Sequence, residues 1–482
     1  MPQIAPGRGE SGAASGEPRH ARAGVRMTLC LIAGLRRSFS EFLGLPVLIV
    51  LGFVVLAGVI DRLDNDAGPR TAWGPVRLFL SQYVGDTQSA ISMLSTIAGS
   101  LISVTSITFS ILLLAVQQGA ATLNSQIVDH YLRRRANSAW FGFFVGVSLF
   151  VLVTLVQTTH TTAPVLGVMS STLLGAVSLV ALVVLIYTTI DQTRPATAIA
   201  TIRAAALAAR ARQLPLLAAS AEPAGTPPDG VAVVAAAGGY LTRIDVDALT
   251  RALSSAPRMH LALPVPVGGF VPPGGTVAVL SGGGAGPALV EAVRDALAIE
   301  EQRDVAHDPA FSLGHIGTIG WTAISTARSD PAVGAIAVHA LQRLLHEWAA
   351  PVPRAAAARI AYRDRLPDQV LDAIESLIVA AAESRQHQSL ALILRALASS
   401  LPALAEPQQR GIARLATTVA PSLASHLPTR MLREDTALLI AAFRRIGRRE
   451  AADRLSEILA HVVRETVVRE SAAEGQEAAD RA

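Results

Sequence analysis

Along the chain, apolar and polar positions first separate into blocks and later interleave. Four apolar runs, at about residues 42–60, 91–116, 140–158 and 165–190, hold no charged residue and are divided by polar segments. A helix needs about 20 apolar residues to cross a hydrocarbon core of ~30 Å, so each run predicts a transmembrane helix. They form a transmembrane domain over residues 39–192. The first run lacks an Ala-x-Ala cleavage pattern, which predicts a retained signal anchor. Between the first two runs, Trp73, Val76, Leu80 and Tyr83 recur at helical spacing with aromatics at both ends, the pattern of a short helix lying in the membrane interface.

From residue 193 the pattern changes. A helix over about 196–213 leads into a Pro/Gly/Ala stretch, and together these form a helix-and-linker segment, 193–230. Four short β-like pieces follow, at 231–235, 239–244, 261–267 and 276–280, separated by turns rich in Gly and Pro. They predict a small β-module over 231–281. Everything after Gly286 reads as helix, with apolar stripes such as Leu390, Ile393, Leu394 and Leu397. These stripes predict a cytosolic helical domain over 282–470, ending in a charged tail, 471–482. Ser329, Asp330 and Pro331 mark one helix start, with proline at the first helical position, where its missing amide hydrogen costs nothing. The expected fold class is therefore mostly α: a four-helix transmembrane domain, a small β-module and a helical bundle.

The second apolar run differs from the other three. Ser92, Thr96, Gly99, Ser103, Ser106 and Ser110 recur at three- or four-residue steps and so share one face of the helix. Leu94, Ile97, Leu101, Val104 and Ile111 occupy the opposite face, interrupted by Thr108. Small hydroxyl-bearing residues suit close helix packing, with interhelical hydrogen bonds of about 0.6–2 kcal/mol each. The same stripe suits the wall of a water-filled path. Packing is the simpler alternative, because hydroxyls bonded to their own helix backbone need no pore.

Composition and charge narrow the chemistry. All 41 basic residues are arginine, so Schiff-base, phosphate-loop and lipoyl or biotinyl lysines are excluded. The single cysteine, Cys30, excludes an internal disulfide framework and any multi-cysteine zinc site. A net charge of +4 spread along helices, without RNP, zinc-finger or basic-zipper spacing, predicts no nucleic-acid partner. The histidines never fall in a His-x-x-x-His arrangement; His339 and His346 alone share a helix face, two turns apart. Ser281 to Gly286 is a glycine run between an apolar strand and a helix, but its glycines miss the dinucleotide register and read as a linker. No Gly-x-Ser-x-Gly elbow is present. No enzyme activity, metal or cofactor is expected.

Arginines precede the first span (Arg36, Arg37), divide the second from the third (Arg133 to Arg135) and follow the fourth (Arg194, Arg203, Arg210, Arg212). The positive-inside rule then places both termini in the cytoplasm. Residues 1–38 are basic and poor in large apolar side chains, which predicts a disordered segment in which Met27 offers a second start. Heavy use of Ala, Arg, Gly and Pro suggests a high-GC bacterial genome, hence a multi-pass protein of the cytoplasmic membrane.

Three blocks carry a family resemblance. Ile91 to Ser100 with Thr105 to Ser110, Gly239 to Asp247 with Gly269 to Gly274, and Asp308 to Phe311 with Ala323 to Pro331 stand in an order that resembles bacterial predicted membrane proteins of the domain of unknown function 2254 family. Thr326, Ser329 and Val333 stand where that family favours proline, asparagine and threonine, so a ligand role resting on those residues is not carried over. The module from Gly239 to Leu280 also looks like the hammerhead barrel of biotinyl and lipoyl carriers, and without lysine it is left as a platform for packing or ligand binding. The resemblance implies a membrane protein and states no activity. The expected partners are the lipid bilayer, further copies of the chain in a homo-oligomer, and a cytosolic protein. The leading expectation is a channel-like or transport protein with a cytosolic vestibule, and the alternative is a membrane-anchored regulatory or scaffold protein.

Overall fold

The structure is a computed structural model that describes residues 44–66, 74–84, 86–122, 135–158, 164–192, 194–223, 230–326, 330–355, 358–423, 426 and 429–480. The N-terminal segment, Trp73, Ser329, Arg36, Arg37, Arg133 and Arg134 lie outside these residues. The chain divides into two compact units, Met1–Thr193 and Arg194–Ala482.

In the first unit, α1 (Gly44–Asp66), α2 (Gly74–Val84), α3 (Thr87–Thr122), α4 (Arg135–Gln157) and α5 (Val165–Gln192) follow in order. Among the described residues, α1, α3, α4 and α5 are long and apolar enough to cross a membrane. The short α2 corresponds to the amphipathic segment between the first two apolar runs. Helix α4 sits centrally, packed on α1, α3 and α5, with Phe144, Val147, Phe150 and Val151 buried. The α1–α4 seam depends on two glycines spaced as Gly-x-x-x-Gly. A methyl group at Gly142 would lie 2.8 Å from the Pro46 Cα, and one at Gly146 would overlap the Phe53 ring. Glycine at these positions lets the two backbones approach, the usual device where no hydrophobic effect drives helix pairing.

The second unit begins with α6 (Pro195–Ala218), which leads directly into β1 (Ser220–Ala221). The strands β2 (Val231–Val234), β3 (Gly239–Ile244), β4 (His260–Leu263), β5 (Phe270–Val271), β6 (Thr276–Ser281), β7 (Leu297–Glu300) and β8 (Ile360–Tyr362) complete two sheets. One has the order β1-β8-β4-β6-β2 and the other β5-β3-β7. Helices α7 (Val246–Ser254) and α8 (Pro287–Asp295) interrupt the strands. Their core buries Leu241, Leu249, Leu261, Val277, Leu280 and Val293.

Two expectations are corrected here. Not everything after Gly286 is helix, because β7 pairs with β3 and β8 lies between β1 and β4. Nor is the module a single hammerhead barrel: the larger sheet mixes parallel with antiparallel pairs and recruits β1 and β8 from outside residues 231–281. Strands of two to four residues carry too little alternation to register as a pattern. The glycine run after β6 is a formed turn, since Gly282 takes φ +98 against the Arg258 carbonyl, where a side chain would collide.

The rest of the unit is helical: α9 (Pro309–Ser325), α10 (Pro331–Trp348), α11 (Leu366–Glu383), α12 (His387–Ser400), α13 (Glu406–Leu423), α14 (Arg430–Arg445) and α15 (Arg449–Asp480). Helix α9 packs on α6, α10 and α11, while α12 packs on α14, and α13 packs on α11 and α15. The predicted start at 329–331 takes the expected form at its described residues: Asp330 is the N-cap, accepting from the Ala332 amide at 2.9 Å, with Pro331 in the first turn.

Candidate functional site

All six members of the α3 stripe, Ser92, Thr96, Gly99, Ser103, Ser106 and Ser110, are exposed on the surface of the first unit. The opposite face does the packing: Leu94, Leu101, Val104 and Thr108 are buried against the bundle. Within one chain, then, the hydroxyl stripe is not a seam. Its hydroxyls donate along the helix, Thr96 to the Ser92 carbonyl at 2.9 Å, Ser103 to that of Gly99 at 3.1 Å and Ser110 to that of Ser106 at 3.0 Å. A hydroxyl that donates in this way keeps its lone pairs free, so the face remains an acceptor surface.

One part of the stripe borders a groove. Between α3 and α4 lies a groove of about 450 Å³ lined by Thr105, Ser106, Ser110 and Ser148 together with Phe109 and Phe141. Thr105 and Ser148 meet at 3.1 Å, oxygen to oxygen. This groove combines hydroxyls with aromatic walls and holds no charged side chain. It suits a small apolar side chain of a neighbouring helix, or water, and offers no nucleophile with a base beside it.

Asp64 is the one buried carboxylate of the first unit's described core. It lies at the end of α1, and its Oδ2 accepts from the Gly167 amide at 3.1 Å. An acidic side chain at the start of α5 satisfies an amide that has no partner within its helix and complements the helix dipole. The amide it caps lies 103 residues further along the chain, beyond the reach of any local spacing.

In the second unit, two family blocks meet at Asp308. The Gly239 to Asp247 block pairs with the Gly269 to Gly274 block through the Leu241 amide and the Gly269 carbonyl, at 3.0 Å, and through β3 with β5. The preceding Gly268, at φ +84, presses on the Asp308 carboxylate so closely that any side chain there would overlap it. Asp308 is fully buried; its Oδ1 accepts from the Phe311 amide at 3.1 Å and its Oδ2 from Arg303 at 2.6 Å. Burial pushes this carboxyl up, against the pull of Arg303. Arg303 also stands over the Phe311 ring at 5.2 Å, and Phe311 meets His315 edge-on at 4.4 Å. Burial, and then Arg303, hold His315 below its ordinary value. Each carboxylate oxygen is committed, so the cluster acts as a clasp between the sheets and α9.

The histidines are arranged differently from their spacing. His339 is exposed, whereas His346 bonds Ser400 at 3.1 Å, so the two form no pair. His387 and His426 do meet, Nδ1 to Nδ1 at 3.0 Å. Burial, then His387 and Arg385, hold His426 below its ordinary value. Among the described residues no group of three or more His, Cys, Asp or Glu could hold a metal ion. The arginines after the fourth span also serve the interior: Arg210 is buried in a bidentate pair with Asp364 at 3.1 and 2.5 Å, and Arg212 donates to the Ala306 carbonyl at 2.5 Å.

Neither a curated protein nor a solved structure matches the chain. A family model described as "Predicted membrane protein (DUF2254)" matches residues 40–398, from the first apolar run to the end of α12. With four membrane-length helices and three-quarters of its length inside that match, the chain belongs to this family of predicted membrane proteins.

Proposed function

We propose that the protein is an oligomeric, channel-like or transport protein in which α3 faces the symmetry axis and the second unit forms a cytosolic vestibule. The observation that carries this reading is the exposed stripe from Ser92 to Ser110, on a bundle whose other outward faces, on α1 and α5, are mainly Leu, Val and Ile. A hydroxyl-rich face gains little from lipid tails and more from water or from its own copy in a neighbouring subunit. Reconstitution tests it: wild-type protein should be oligomeric and pass a small solute or ion in proteoliposomes, and Ser103→Leu with Ser106→Leu should abolish that flux while leaving the oligomer intact. Absence of flux for every common ion, with loss of assembly in both variants, would overturn it.

That last result would favour a membrane-anchored regulatory or scaffold protein. The second reading draws on the hydroxyls bonded to their own helix, which need no water, and on the larger share of the chain lying in the second unit.

The same proposal places the chain in a bacterial cytoplasmic membrane with both termini inside, on the strength of the arginine clusters. Asp64 is buried, so the neighbouring exposed Asn65 is the better reporter. After replacement of Cys30, cysteines at Asn65 and Thr162 should react with an impermeant thiol reagent in intact cells, and those at Asn137 and Glu222 should not. The opposite labelling would invert the protein.

A further inference from the structure

The sequence scatters arginines over the helical region, but the fold gathers six of them. Arg354, Arg363, Arg410, Arg414, Arg448 and Arg449 all line one cleft of about 1370 Å³ in the second unit. They come from separate elements: the chain before β8, the turn after it, helix α13, and the Gly447 turn that opens α15. We infer that this cleft is a binding site for a phosphorylated small molecule, with the phosphate held by the wall that α13 and the Gly447 turn build.

The argument rests on partner accounting. Four carboxylates also line the cleft, Glu222, Asp364, Asp368 and Glu450, but three already have arginine partners. Glu222 takes Arg354 at 2.7 Å, Asp368 takes Arg363 at 3.5 Å, and Asp364 takes the buried Arg210 from behind. On the α13 wall the balance is different. Arg410 and Arg448 share one carboxylate, Glu406, at 3.9 and 3.2 Å. Arg414 and Arg449 have no ion pair among the described residues, and both are exposed to the cleft. Arg410 and Arg414 stand one helical turn apart, where like charges repel. A concave wall with an excess of guanidinium focuses its field on an anion, and the planar fork of arginine matches phosphate oxygens two at a time.

Two neutral groups suit the remainder of such a ligand. The Trp348 indole N–H and the Gln408 Oε1, both in the lining, are buried with no hydrogen-bond partner among the described residues. An unpaired donor and an unpaired acceptor in one lining match hydroxyl groups, such as those of a sugar phosphate or nucleotide. The volume exceeds the roughly 300–1,000 Å³ usual for small ligands, which leaves room for a nucleotide with its water. The interspersed carboxylates break any continuous basic track of the sort that an extended nucleic acid requires.

This inference does not depend on the pore. Detergent-solubilised full-length protein should bind a nucleoside triphosphate and inorganic pyrophosphate in calorimetric titration, more weakly as salt is raised. Arg414→Gln with Arg449→Gln removes no internal ion pair, so the unliganded melting temperature should stay unchanged while affinity falls by about tenfold or more. Arg258→Gln, on an exposed arginine outside the cleft, should bind as wild type. A short-chain phosphatidylglycerol below its micelle concentration forms the second arm. If it alone binds and the soluble phosphates do not, the phosphate belongs to a lipid headgroup and the small-molecule assignment is overturned. Binding that survives unchanged in the double variant, or no binding to any probe, overturns the site itself.

Discussion

The outward faces of α3 and α5 belong to the same bundle and differ in kind. On α5 the large exposed side chains are Leu173, Val177, Leu179, Val180, Val183, Val184, Tyr187 and Ile190, branched and apolar apart from one aromatic hydroxyl. On α3 the exposed positions include Ser92, Thr96, Gly99, Ser103, Ser106 and Ser110, with Ile102, Ile107 and Phe109 beside them and Leu113 and Leu114 beyond the stripe's end. Both helices bury an ordinary apolar seam against α4, so internal packing does not explain the contrast. It teaches that the bundle has one face fit for lipid and another rich in small hydroxyls, which the proposed function turns toward a second copy of the chain or toward water.

The largest effect is expected where both faces depend on the bundle. Gly146→Leu drives a side chain into the Phe53 ring across the α1–α4 seam, and overpacking of this sort costs about 1–3 kcal/mol or more. Denaturation of the purified protein in SDS should begin at a clearly lower detergent fraction, with assembly lost alongside; wild-type resistance would mean that the seam is not as close as described.

Next come the two faces themselves. If α5 meets lipid and α3 does not, Val180→Ser with Val183→Ser should change assembly and flux by less than about twofold, because a serine can bond its own helix carbonyl. The leucine pair on α3 should be far more damaging, with about 1–3 kcal/mol per site if the face is a packed interface. Equal sensitivity of the two faces would break the comparison.

The smallest effect separates the stripe from the second unit by pH. No member of the stripe titrates near neutrality, so assembly through α3 should not change between pH 7.5 and about 5.5. His426 and His315 sit below the ordinary histidine value in the folded state, through burial first. Their contribution to stability is therefore fully present above about 6.5 and is lost as pH falls through that value toward the folded one. Thermal unfolding of the full chain should show a second-unit transition that moves down on acidification, and His426→Gln should flatten that dependence. A transition indifferent to pH would show that these imidazoles stay hydrated.

Asp64, Arg210 and Arg354 show what local spacing leaves out. Each is a polar residue whose partner lies in another element: Asp64 caps α5, Arg210 reaches Asp364 across 154 residues, and Arg354 reaches Glu222 across 132. Short-range spacing holds no trace of such pairs. The Gly142 and Gly146 spacing takes its meaning from Pro46 and Phe53 of α1, which only the fold brings against it.

Sequence alone determined what is periodic or long. Four membrane-length helices, the short helix α2, the strands β2, β3 and β6 and the Asp330 cap follow from hydrocarbon thickness, side-chain alternation and orphan amides, all of which act over a few residues. Tertiary structure decided which face of α3 is left outside, which short segments join the sheets, and which arginines converge. Those outcomes depend on charges and contours brought together from distant positions, and only the folded chain brings them within reach of one another.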